Sequence, residues 1–184
     1  MRIIAGEKRS RKIEAPQGQD TRPTADRVKE ALFSMLQRRV YDARVLDLYA
    51  GSGALSLEAL SRGAASAVLV DMSFKAGKII RQNIETLDYG DRARFLNMED
   101  MRAIGQLENE GQQFDLIFLD PPYRLSTTDT CARLAKKLLA MDGMIICEHD
   151  KKTPPSTPEG LTLADRREYG ITGLSFFVRE GEED

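Results

Sequence analysis

The sequence predicts an α/β domain on a mainly parallel, seven-stranded sheet with helices on both faces. Three observations predict it. Short apolar runs alternate with segments of helical apolar spacing from residue 44 to residue 147. One apolar run, Val45-Leu-Asp-Leu48, enters a turn holding Gly51 and Gly53, and a helix-like segment follows at once. Finally, apolar runs end in carboxylates at Asp47, Asp71 and Asp120, which aligns those acids along one edge of the sheet.

The first twenty residues mix apolar and basic side chains. A small hairpin is expected there, Arg2–Ala5 against Arg11–Ala15, turned at Gly6. Thr24 can cap a helix running from Ala25 to about Arg39. Its Val28, Ala31, Leu32, Met35 and Leu36 form one apolar stripe. Strands are expected near 44–48, 66–70, 92–96, 114–119 and 143–147, with helices near 54–62, 73–87, 99–108 and 127–140. A closing hairpin, Leu161–Tyr169 and Leu174–Arg179, turns near 170–173. The chain thus divides into a basic hairpin and helix over 1–40, packed on the core, and a main domain over 41–184. The segment 151–160, with Pro154, Pro155 and Pro158, reads as a loop, and the acidic tail from Glu180 as frayed.

Composition narrows the class. At 184 residues, 41% hydrophobic and 30% charged, the chain is long enough to bury a full α/β core. Cys131 and Cys147 are too few for a metal cluster or a disulfide framework, so no metal is expected. No apolar run approaches a membrane span, and the basic N-terminus lacks a signal core. A cytoplasmic monomer with no membrane partner is the expectation. The net charge of −2 is unevenly spread, because residues 1–39 carry ten Lys or Arg against five Asp or Glu. Such a basic arm can meet phosphate or simply be a solvated face.

The glycine turn departs from the dinucleotide fingerprint, since Ser56 stands where a third glycine would be. Asp47, four residues before Gly51, is a poor neighbour for a pyrophosphate and a good one for the ammonium of an amino-acid moiety. That favours S-adenosyl-L-methionine over NAD as the ligand of Asp47, Tyr49, Ala50, Gly51, Ser52 and Gly53. Asp71, with Met72 after it, lies 18 residues beyond Gly53 and suits a ribose.

The run Phe114-Asp-Leu-Ile-Phe-Leu-Asp-Pro-Pro-Tyr123 reads as a buried strand that must turn out at Asp120, because prolines cannot extend a sheet. The loop presents a carboxylate, a backbone carbonyl and a flat ring. Asp120 and the carbonyl of Pro121 can accept the N–H groups of a nucleobase amine, a poor nucleophile that must be held while it attacks. Pro122 stiffens the turn, and Tyr123 can stack on the base. The lone His149 reads as structural, since such a reaction needs no imidazole base.

In order, these motifs resemble the class I S-adenosylmethionine-dependent methyltransferases of exocyclic amines. The front of the chain narrows the resemblance. Met1-Arg-Ile-Ile-Ala-Gly6, then Thr21-Arg-Pro-Thr24 with Arg27, Glu30 and Phe33, is similar to the bacterial 16S ribosomal RNA guanine-N2 methyltransferases of the RsmD type. Gly51-Ser-Gly-Ala-Leu-Ser-Leu-Glu-Ala59 and Tyr169-Gly170 agree. The resemblance covers nearly the whole chain. It implies a Rossmann-like class I fold and methyl transfer to guanine N2 in 16S ribosomal RNA, naked or within an assembling small subunit. It also implies a third cofactor contact, from Glu99 or Asp100. Arg22 and Thr24 would close over the cofactor, and Arg2, Lys8, Arg9, Arg11 and Lys12 would meet RNA phosphates. Three rivals share parts of the pattern: an adenine-N6 methyltransferase on DNA or RNA, an NAD-dependent oxidoreductase, and a non-catalytic RNA-binding assembly factor.

Overall fold

The computed structural model describes residues 1–16, 23–121 and 128–181, without the side chains at 23–25 and 128–129. Two helices come first, α1 (Pro23–Met35) and α2 (Gln37–Val40). Strands and helices then alternate: β1 (Arg44–Asp47), α3 (Ala54–Ser61), β2 (Ser66–Val70), α4 (Phe74–Thr86), β3 (Ala93–Leu96), α5 (Asp100–Asn109), β4 (Phe114–Leu119) and α6 (Thr128–Lys137). Three strands close the fold, β5 (Leu139–Asp150), β6 (Leu161–Tyr169) and β7 (Thr172–Arg179).

They form one seven-stranded sheet in the order β3-β2-β1-β4-β5-β7-β6. The first five are parallel, and β7 runs antiparallel to both β5 and β6. Strands buried on both faces must be apolar at nearly every position, which is why β1 and β4 read as continuous apolar runs. Val45, Leu116, Phe118 and Ile146 face one core, shared with α1, α3 and α4. Leu46, Ile117, Leu119 and Ile145 face the other, shared with α5 and α6. Chain order reverses between β1 and β4, where β1 pairs with β2 on one side and β4 on the other. A crevice must open there at the carboxyl ends of the strands.

The N-terminal arm pairs as the expected hairpin, though more sparsely: Ile3 N donates to the Arg11 carbonyl at 2.9 Å, Ser10 N to the Ile3 carbonyl at 2.9 Å and Ile13 N to the Met1 carbonyl at 3.1 Å. Among the described residues it holds a single bridge, Arg2 with Lys12, and no longer ladder. Distant side chains then hold it on the core. Glu58, fully buried, accepts from Ile4 N at 2.8 Å and Ala5 N at 3.0 Å, and pairs with Lys29 and Arg62. Ser61 and Asn83 bind further backbone groups of the arm, and Ile3 and Ile13 enter the core. Gly6 has φ +84°, and a Cβ there would stand 1.7 Å from the carbonyl oxygen of Ser61.

Two boundaries also moved. The expected helix to Arg39 breaks at Leu36, whose φ −82° and ψ 0° leave the α region, although the apolar stripe continues past it. The expected helix to 140 stops at Lys137, and β5 starts at Leu139 with an irregular register before Met144. Gly143 packs there against Leu139, so Met141-Asp142-Gly143 distorts the strand without ending it.

Candidate functional site

A cleft of about 720 Å³ lies at the switch point. Asp47, Tyr49, Ala50, Gly51, Ser52, Asp71, Met72, Asp100, Asp120 and Pro121 line it. These are ten of the sixteen residues read as contacts of the cofactor or the base. Gly53 does not line it. It caps α3 at φ +81°, where a Cβ would stand 2.9 Å from a Leu69 methyl, so its role is to let the turn pack on β2. Gly51 has φ +58°, with nothing within 4 Å of where a Cβ would stand, which leaves the cleft floor open.

Asp71 fixes the loop. One carboxylate oxygen accepts from Gly51 N at 2.9 Å and the other from Ser73 N at 2.8 Å. Each oxygen keeps a further lone pair for a ligand hydroxyl. Asn97 donates to the Asp71 carbonyl at 2.8 Å and steadies the same turn.

Asp47 is the most constrained group in the cleft. It is 1% exposed, and Ser56, the residue in place of a third glycine, donates to its Oδ2 at 3.1 Å. Its Oδ1 is buried without a hydrogen-bond partner among the described residues. Burial raises its pKa to about 7, against the Ser56 hydrogen bond and with help from the charges of Asp120 and Asp71. An orphaned acceptor of this kind matches an N–H donor supplied by a ligand, above all a cationic one.

At the far wall Tyr49 donates a hydrogen bond to Asp100, and burial, then this carboxylate, raises the phenol pKa. Asp100 also accepts from Met101 N at 2.7 Å. Of the two acids left open by the sequence, Asp100 stands on the cleft wall while Glu99 is exposed outside it.

Asp120 stands exposed at the mouth, and the walls around it push its pKa upward. The Phe33–Phe118 ring pair, 6.0 Å between centroids, anchors α1 on β4 two residues before it. Pro122, Tyr123 and Arg22, with the Thr24 side chain, lie outside the described residues.

The basic residues of the arm spread along α3. Met1, which the sequence did not single out, lines the cleft and receives a 3.5 Å contact from the Ser52 hydroxyl. Arg2 and Lys12 are exposed, and Arg11 donates to the Thr86 carbonyl at 2.9 Å. Lys8 lies 5.5 Å from the Tyr89 ring centroid, near the C-terminal end of α3, where its backbone binds Ser61. Lys8 and exposed Arg9 thus stand at the end of α3 opposite the cleft. His149 is buried, with its ring nitrogens bonded to Ser175 and to the Asp150 carbonyl.

Two residues beside the cleft escaped the sequence reading although a signal existed. Asn97 follows the apolar end of β3, as an acid follows the apolar runs of β1, β2 and β4. Glu148 follows Ile145-Ile-Cys147 in the same way.

Comparison with known proteins agrees with this architecture. The model of the family described as "Conserved hypothetical protein 95" matches residues 1–178. Ribosomal RNA small subunit methyltransferase D of Escherichia coli (strain K12) is 36% identical, over 100% of this chain and 93% of the relative. Its Haemophilus influenzae counterpart is 33% identical, over 96% and 93%. The solved structure of Escherichia coli yhhF superposes with a TM-score of 0.85 at 36% identity, covering 99% of both chains. A hypothetical protein of Thermus thermophilus gives 0.82 at 30% identity, covering 98% and 99%. The chain belongs to the Conserved hypothetical protein 95 family, that of the ribosomal RNA small subunit methyltransferase D proteins.

Proposed function

We propose that this protein transfers a methyl group from S-adenosyl-L-methionine to the exocyclic N2 amine of a guanine in 16S ribosomal RNA. The observation that carries the reading is the buried, unpaired Oδ1 of Asp47 in the same cleft that has Asp120 at its mouth. The names of the relatives support ribosomal RNA as the substrate class.

Bound in the cleft, S-adenosylmethionine supplies an electrophilic methyl on a sulfonium. Asp47 would take its ammonium, Asp71 its ribose hydroxyls, and Asp100 with Tyr49 would border its base. The protein's remaining work is placement. Asp120 and the Pro121 carbonyl would accept the two N–H bonds of the amine and so hold its lone pair towards the methyl donor. Extracting the guanine from its stack costs a few kcal/mol, which Tyr123 and the arm would offset. After transfer the nitrogen carries an extra proton, which Asp120 or solvent removes. Asp120 is suited to the task because loss of water around it raises its pKa and makes it a stronger base than an ordinary aspartate.

Nucleoside mass spectrometry of 16S RNA from cells with and without this protein tests the reading. Loss of an N2-methylguanosine is expected. An unchanged nucleoside profile, or loss of an N6-methyladenosine, would overturn it.

A further inference from the structure

We infer that Asn83 is a positioning residue that joins the N-terminal arm to the cofactor loop, so that the arm and the bound cofactor order one another. The inference rests on the proposed S-adenosylmethionine site and deepens it.

Asn83 is a polar residue on the buried face of α4, in company with Ala76, Gly77 and Ile80. It is 1% exposed, and a buried amide costs the fold unless its groups are bonded. Its Oδ1 accepts from Glu14 N at 2.8 Å. A backbone N–H can only donate, so that bond fixes which way the amide lies and leaves both Nδ2 protons for carbonyls. Nδ2 donates to the Glu14 carbonyl at 3.0 Å and to the Ser52 carbonyl at 2.9 Å. One side chain thus grips the arm with two hydrogen bonds and the cofactor loop with a third.

A second contact closes the connection into a ring. Ile13 N, beside Glu14, donates to the Met1 carbonyl at 3.1 Å, and the Met1 sulfur meets the Ser52 hydroxyl at 3.5 Å. The arm therefore holds Ser52 twice, at its carbonyl through Asn83 and at its side chain through Met1. The loop needs such anchors. Ser52 stands between Gly51 at φ +58° and Gly53 at φ +81°, and glycine leaves a turn more freedom than any other residue. Asp71 pins Gly51 N, and Asn83 pins the carbonyl one residue on. Met1, Gly51 and Ser52 all line the cleft. A ligand lying on this loop and against Met1 favours the docked arm, and the docked arm favours the loop geometry that binds the ligand. Linkage makes the two effects equal in free energy.

Hydrogen exchange and calorimetry with S-adenosylhomocysteine, the demethylated cofactor, test the connection. Saturating ligand should slow amide exchange in the arm peptide holding Ile13 and Glu14 about tenfold or more, beyond any change in β6 at the far edge of the sheet. A role confined to folding would leave that exchange indifferent to ligand. Asn83→Ala should exchange faster in the arm, lose the response to ligand, and bind it about 5- to 30-fold more weakly. Glu14→Pro removes the N–H given to Asn83 and alters no residue of the cofactor loop. It should weaken ligand binding about threefold or more, and combined with Asn83→Ala it should add little, because both break one connection. Arm exchange that ignores saturating ligand in the parent, or a Glu14→Pro variant that binds as the parent does, would overturn the inference. Both results can be read even if Asn83→Ala fails to fold. A parent that binds no S-adenosylhomocysteine overturns the proposed function itself, and this inference with it.

Discussion

Replacing Asp47 by Asn should make the protein more stable and a poorer ligand binder. Its folded pKa of about 7 stands above the 3.8 usual for an aspartate. Well below pH 3.8 the side chain is neutral in both folded and unfolded chains, and it costs the fold nothing. As pH rises from about 4 to 7 the unfolded chain releases its proton first, so stability is lost across that window. At about 1.36 kcal/mol per pH unit, the full loss by pH 8 is about 4 kcal/mol. Asn removes the charge but brings amide N–H groups to a wall where Oδ1 already lacks a partner. A net gain of about 1–3 kcal/mol is therefore expected at pH 8, seen as a Tm raised by about 2–10 °C. The gain should shrink towards pH 5. Calorimetry should show S-adenosylmethionine binding weakened about 10- to 100-fold, because a charge-assisted hydrogen bond becomes a neutral one. A variant less stable than the parent at pH 8, or one that binds the cofactor equally well, would refute this account of Asp47.

Other consequences follow from the same structure. Cofactor affinity in the parent should fall roughly tenfold per pH unit below about 7 as Asp47 protonates, and again above about 8 as the ligand's own ammonium is lost, whereas a flat profile from pH 5.5 to 7.5 would separate Asp47 from the ammonium. Gly6→Ala should destabilise the fold by roughly 2 kcal/mol or more in chemical denaturation, since its Cβ meets the Ser61 carbonyl and φ is positive. Replacing Arg9, Arg11 and Lys12 by Ala should flatten the salt dependence of RNA binding and raise KM for RNA, with cofactor affinity intact. An unchanged slope would mean a merely solvated arm.

The alternation of elements was legible because buried parallel strands must be apolar throughout, and the acids that end them stand out against that background. Asp47, Asp71 and Asp120 were found by this signal, and Glu148 carried the same one but was overshadowed by His149 beside it. The pairing of the arm's two segments was legible, but its docking was not, since Glu58, Ser61 and Asn83 hold it from more than fifty residues away. The end of α6 was also hidden. Leu138, Leu139 and Ala140 are buried and apolar, so they extend a helical stripe as readily as they begin a strand. Ser56 shows the opposite case, a missing glycine that becomes intelligible once its hydroxyl is seen on Asp47.

The most direct test of the central claim compares the parent with Asp120→Ala on unmodified 16S RNA and small subunits, using labelled S-adenosylmethionine and mass analysis of the nucleosides. The parent should yield N2-methylguanosine. The variant should lose roughly a hundredfold or more in turnover while binding cofactor almost as before, because the group it lacks acts on the amine in the transition state. Near-normal turnover by Asp120→Ala, or methyl groups found only on adenine, would contradict the account.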